Sequence, residues 1–272
     1  MIEAALFLAP PFAMCVVLTG IHCYLGLHVL ARGVIFVDLS LAQVAAFGAT
    51  LALSLGLAPE SPFVYLLSLI ATFLAAYLFA VARRYEHKFS QEAIIGIVYA
   101  LGSASVVLLV NNMSHGAEHI KQLLVGQILW VSWFDVGKTA AIYLGVGVLH
   151  YVFRSQLISA SFNENHSGSK WDFLFYALFG VIITSSVQVA GVLQVFSFLI
   201  VPAVISTIFF DSIRLRLIFG WVFAVILSFV GLTLSFVIDV PSGAFIVVCF
   251  SAIPVLLLIL GPFFSKKNFT KN

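Results

Sequence analysis

Apolar runs of about twenty residues alternate with short polar breaks, and the breaks cut the chain into nine pieces: residues 4–30, 34–57, 62–82, 92–110, 136–153, 172–188, 191–210, 217–238 and 244–264. These pieces are apolar on every face instead of along one stripe, so each reads as a helix with lipid around it. The pattern predicts an all-α fold, a polytopic transmembrane helix bundle of about eight or nine spans in a single transmembrane domain over residues 1–272. Pro202 falls inside the piece 191–210, which is expected to be bent or only partly inserted. Two stretches fall outside the rhythm. Within residues 111–135 the apolar core LLVGQILWVSWF is too short to span, and predicts a short interfacial helix near 118–134. Residues 154–171 are polar and rich in turn formers, and are expected to form a long cytoplasmic loop.

Composition narrows the class. Hydrophobic residues make up 62% of the chain and charged residues 9%, too few to cover the exterior of a soluble domain. Placing alternate breaks on opposite sides puts eleven of the thirteen Lys and Arg residues on one side and only Lys121 and Lys138 on the other. The basic side is expected to be cytoplasmic, with the amino terminus outside and the carboxyl terminus inside. The first residues lack a basic leader region, so the first span is expected to be retained. A net charge of +2 with no basic stripe gives no reason to propose nucleic acid as a partner. Cys15, Cys23 and Cys249 all sit in apolar runs, where thiols behave as small hydrophobes.

Candidate chemistry is sparse. Gly137-Lys138-Thr139 resembles the end of a phosphate-binding loop, but Ser132 stands where the first glycine belongs, so the chain is expected to carry no ATPase of its own and to be no enzyme. His115-Gly116-Ala117-Glu118-His119 matches H-x-x-E-H, a pattern that puts two imidazoles and a carboxylate within reach of a metal. It reads as an outer vestibule contact for a metal ion, as a solvated loop, or as a membrane metallopeptidase site. Ionisable groups inside spans are costly and therefore mark candidate paths. His22 and Asp38 are of this kind, with Gln43 following, and Asp38 could equally be an interfacial carboxylate paired with Arg32. His28 and Arg32, four residues apart, read as structural. Small residues along the second span, Ala42, Ala45, Ala46, Gly48 and Ala49, predict close helix approach.

Five stretches in order, VDLSLAQVAAFGA, EAIIGIVYALGSASVVLL, IKQLLVGQILWVSWFDV, VAGVLQVFSFLIVPAVIS and IDVPSGAFIVVC, resemble the permease subunits of the zinc and manganese (metal-cation) family of ATP-binding cassette importers. The resemblance covers nearly the whole chain. It implies a type II importer-like permease for zinc, manganese or iron in a bacterial inner membrane. The partners it implies are a second permease copy, a cytoplasmic ATPase dimer and an extracytoplasmic metal-binding protein. It further implies that residues 154–170 carry a coupling helix, although Ser161-Phe162-Asn163-Glu164 departs from the family's FDPE-like stretch. The family sets an Asp and a His one turn apart in its second span. Here Gln43 stands at the His position and Asp38 falls one residue early. The candidate metal residues are thus Asp38, Gln43, His22, His115, Glu118 and His119, with no permanently bound cofactor. A permease of this architecture for an organic or chelated substrate is the alternative.

Overall fold

The computed structural model describes residues 2–111, 113, 116–162 and 170–264. Among them the chain is helical, in the order α1 (Ile2–Arg32), α2 (Val37–Ser54), α3 (Pro62–Arg84), α4 (Gln91–Val110), α5 (Gly116–Val125), α6 (Trp133–Val152), α7 (Arg154–Phe162), α8 (Lys170–Phe209), α9 (Ile213–Val237) and α10 (Ser242–Phe264).

Local chemistry sets several of these boundaries. α1 and α2 both stop at a glycine of positive φ, Gly33 at 68° and Gly56 at 86°. In each case the next residue donates its N–H back five residues, Val34 to Val29 and Leu57 to Ala52, closing the orphan carbonyls of the last turn. α3 opens with Ser61 as cap and Pro62 in first position, where its missing N–H is harmless. At the start of α6, Ser132 and Asp135 form a reciprocal capping box.

α8 has 40 residues, about twice the length a bilayer needs, and its contacts show that it doubles back. Ser186 reaches His22 of α1, whereas a Cβ placed on Gly26, one turn further along α1, would strike Leu199 and Ala203. A straight helix would hold residues 186 and 203 roughly 25 Å apart. The turn is at Gly191, whose φ of 74° and ψ of 165° leave the helical region. Residues 170–190 and 192–209 are therefore two arms lying along α1, matching the separate pieces 172–188 and 191–210. Among the described residues seven helices are long and apolar enough to cross a membrane, and α6 with α7, bent by 80° at Phe153, forms a further candidate. Counting α8 as two crossings brings the total to the nine pieces of the hydropathy pattern.

The α8 turn is also where α5 ends. Gly126, at φ 71°, lies with its backbone directly on Ala190 and Gly191, and Gln127 donates to the Val189 carbonyl at 3.0 Å. This contact stops the short helix at Val125, so α5 covers 116–125 instead of continuing toward 134; a single 3₁₀ turn, Ile128–Trp130, leads on to α6. Within the polar stretch 154–171, residues 154–162 form the helix α7.

α1 and α8 form the centre, with Leu25, Phe175, Tyr176, Phe179 and Ile182 fully buried. α2 packs closely on α3, since a Cβ on Gly48 would meet the backbone of Leu67 and Ser68 at 2.7 Å. Large hydrophobics such as Leu66, Leu74, Leu108, Leu144 and Val222 face outward, as a lipid-solvated surface requires.

Gly191→Ala is expected to destabilise the protein by about 1–3 kcal/mol from backbone strain alone, with the collision against Gly126 in addition. Gly145→Ala, whose added methyl meets open space, should be neutral or slightly stabilising. Thermal melting of the two variants in detergent checks the contrast.

Candidate cation path and buried polar clusters

The residues singled out from sequence fall into three separate places, and a fourth cluster was not anticipated. Among the described residues no group of three or more His, Cys, Asp or Glu side chains comes together as a ready metal cage.

His22 sits mid-bundle, where α1, α6 and α8 meet, and is completely buried. Its Nδ1 lies 2.7 Å from the Leu18 carbonyl one turn back, to which it donates, and its Nε2 lies 3.2 Å from Ser186 Oγ, whose hydroxyl also reaches the Ile182 carbonyl at 2.5 Å. The Tyr143 hydroxyl lies 2.5 Å from the same Ser186 Oγ. Both ring nitrogens are thus engaged, and His22 is held as a three-helix fastening instead of being presented to a path.

Asp38 and Gln43 lie on α2, at and near the end of the bundle where α7 sits. Five residues apart on a helix, they point roughly 140° away from each other and do not share a face. Gln43 packs where α4 approaches, its backbone 3.3 Å from a Cβ placed on Gly102. Asp38 is 1% exposed, and among the described residues no other side chain hydrogen-bonds its carboxylate, which has only the backbone N–H groups of Asp38 and Leu39 close by. Its place in the first turn of α2 lets the positive end of the helix offset part of its charge. Sequence reasoning missed Glu92, which opens α4. One of its oxygens accepts the Phe36 N–H at 3.1 Å, just before α2, and the other is buried without a partner. The two carboxylates are near enough to interact electrostatically. Ser40 Oγ is a further buried group without a partner. The legible signal for Glu92 was an acid at the polar end of an apolar run.

At the opposite end, Glu118 on α5 is exposed and lines a cleft with Lys121, Gln122, Gly126 and Pro241. His115 lies outside the described residues, as does the side chain of His119. Nearby, Glu60, Tyr65, Gln122, Gln127, Lys138 and Gln188 line a half-open cavity of about 570 Å³ between α2, α3, α5, α6 and α8.

The unanticipated cluster lies under α7. Arg32 pairs with Asp172 at 2.8 Å with both side chains fully buried, so its carboxylate partner is on α8 and not Asp38. The same guanidinium donates to Ser161 Oγ of α7 at 2.9 Å, and its Cζ lies 4.0 Å from the Phe175 ring centroid. His28 Nδ1 meets Ser161 Oγ at 2.8 Å. Arg83 of α3 approaches Asp172 at 3.5 Å and donates to the Ala160 carbonyl of α7 at 3.1 Å. The i, i+4 spacing of His28 and Arg32 hinted at a structural pair, but nothing local in sequence pointed to residues some 130–140 positions away.

The ABC 3 transport family matches this sequence over residues 5–261. The manganese transport system membrane protein MntB of Synechocystis sp. is 26% identical over 181 residues, covering 64% of this chain and 59% of that protein, so the chain spans under two thirds of that relative. The corresponding protein MntC of Halalkalibacterium halodurans is 23% identical over 262 residues, 93% of this chain and 85% of that one. Among solved structures, PsaBC from Streptococcus pneumoniae in complex with Fab shares the fold. The TM-score is 0.76 at 19% identity, over 94% of this chain and 93% of that chain.

Ser186→Ala is expected to cost about 1–3 kcal/mol, because it leaves the buried His22 Nε2 and the Tyr143 hydroxyl without their shared partner. Urea or thermal unfolding against the wild type measures it; a change under 0.5 kcal/mol would contradict the fastening role.

Proposed function

We propose that this chain, which belongs to the ABC 3 transport family, is the membrane-spanning subunit through which a divalent transition-metal cation enters a bacterial cell. Two copies pair to form the pore. ATP is hydrolysed on a separate cytoplasmic ATPase dimer docked beneath α7, and an extracytoplasmic binding protein delivers the cation to the α5 end. The α7 end faces the cytoplasm of an inner-membrane protein whose amino terminus is outside, in keeping with the eleven-to-two distribution of Lys and Arg.

One observation carries this reading. Asp38 is a buried carboxylate in an apolar bundle that, among the described residues, meets no other side chain and has only the backbone N–H groups of its own first turn nearby, beside a second carboxylate, Glu92, with one oxygen unmet. A carboxyl placed this deep in the bundle, beside a second one, is suited to receive a passing cation. At the opposite mouth, Glu118 is exposed and suited to first capture. Weak, separated contacts suit conduction, since the ion must leave as readily as it enters.

The donors also bear on which cation passes. Asp38 and Glu92 offer oxygen, while both nitrogens of His22 have polar neighbours of their own. Hard oxygen donors favour manganese over zinc, for which imidazole and thiolate are the better ligands. Relatives are named for manganese transport and others for iron transport, two cations that oxygen donors suit.

Cells expressing the chain with its ATPase and binding protein are expected to take up labelled Mn²⁺ ahead of Zn²⁺. Asp38→Asn should lower that uptake by about tenfold or more at unchanged membrane abundance. Equal uptake of Mn²⁺, Fe²⁺ and Zn²⁺ with and without the chain would overturn the proposal.

A further inference from the structure

α7 hangs from the bundle by a bend of 80° at Phe153 and has only nine residues, yet its last turn is fastened to two other helices, α1 and α3, by fully or nearly buried polar contacts. Ser161 Oγ takes hydrogen bonds from Arg32 and from His28 of α1, and Ala160 accepts from Arg83 of α3. Both arginines converge on Asp172, in the first turn of α8. A helix needing only to lie beneath the bundle could be held by apolar packing, which avoids the desolvation cost of burying three charges.

Among the described residues the charge count is unequal. Two guanidinium groups face one carboxylate, and among the described residues Arg32 Nη2 and Arg83 Nη1 are buried without a hydrogen-bond partner. The Arg32 contact is short, at 2.8 Å, and the Arg83 contact is loose, at 3.5 Å. Asp172 is therefore held tightly by α1 and loosely by α3, with spare donors on both sides to receive it if the helices slide. An anion shared unequally between two cations on different helices has two discrete arrangements, the kind of element through which a displacement can be passed on.

We infer that Arg32, Asp172 and Arg83 form the joint that transmits movement of α7 to α1, α3 and the first arm of α8, with the carboxylate changing its principal partner from Arg32 to Arg83 during the transport cycle. These are positioning residues; none touches the cation. The inference rests on the proposed role of α7 as the contact with the ATPase partner. It adds that drive from below reaches α1 and α3 through a charge exchange and not through apolar packing alone.

Arg83 is the residue to change. Asp172→Asn would strand two buried cations and threaten folding, whereas Arg83→Met leaves Arg32 and Asp172 as a balanced pair. In proteoliposomes holding the full transporter, Arg83→Met is expected to keep its melting temperature and its ATP hydrolysis rate near wild type. Mn²⁺ uptake per ATP hydrolysed should fall roughly fivefold or more. Arg83→Lys, which restores the charge but not the planar fork, should recover part of the ratio. Unchanged uptake per ATP in Arg83→Met would overturn the joint, as would a loss of uptake that tracks a loss of thermal stability. Failure of the wild type to move Mn²⁺ at all would instead refute the transport reading, leaving the two failures distinguishable.

Discussion

Backbone rests on backbone where α5 ends and α8 turns. Gly126 and Gly191 both hold positive φ and touch without an intervening side chain, and a Cβ on Gly243, at the start of α10, would collide with the Val125 carbonyl. Within a membrane, a reversal of the chain leaves N–H and C=O groups that lipid cannot satisfy. The Gln127 N–H meeting the Val189 carbonyl closes part of that deficit. Once the turn is fixed, the two arms of α8 must lie together along α1, and α2, α3, α9 and α10 pack around them. Three of the motifs behind the family resemblance, those containing Gly126, Gly191 and Gly243, meet at this one junction, which gives their glycines a mechanical reason.

From that junction the polar groups fall into layers. Near the α5 end are the half-open cavity and the exposed Glu118. Below it comes the fastening of His22, Ser186 and Tyr143, and at the α7 end lie Asp38 with Glu92 and, separately, the arginine joint. The middle layer joins helices through satisfied hydrogen bonds, which in lipid serve as adhesive between otherwise oily surfaces. At the α7 end, among the described residues, Asp38, Glu92 and the spare guanidinium donors bring incomplete charged groups together. A protein that moves ions keeps its incomplete groups where something is meant to arrive or shift.

How far the sequence could be read follows from the range of each determinant. Spans were legible because lipid imposes a one-dimensional rule, and the pieces 172–188 and 191–210 were separable even though the helix runs through with a single irregular residue. The close packing of α2 was visible in its alanines and Gly48. The end of α5 was not, since it depends on a glycine 65 residues later. Arg32 was offered Asp38 as the nearer acid, but the true partner, Asp172, lies 140 residues away. Asp38 and Gln43 were recognisable as candidates, while their divergence on the helix follows from spacing and could have been counted. Glu92 gains its interest only when α2 and α4 are laid side by side.

The distance between Arg32 and Asp172 carries a consequence for biogenesis. A ribosome adding about 5–20 residues per second needs roughly 7–30 s to make the intervening chain. Through that interval α1, and through its later part α3, must stand in the bilayer with the terminal arginine unneutralised, its long side chain stretched toward the headgroups. Only when the head of α8 arrives can both cations be drawn inward and α7 be pinned across them. The carboxylate that closes this end of the bundle thus also sets the moment in synthesis at which a row of separate helices can become one body.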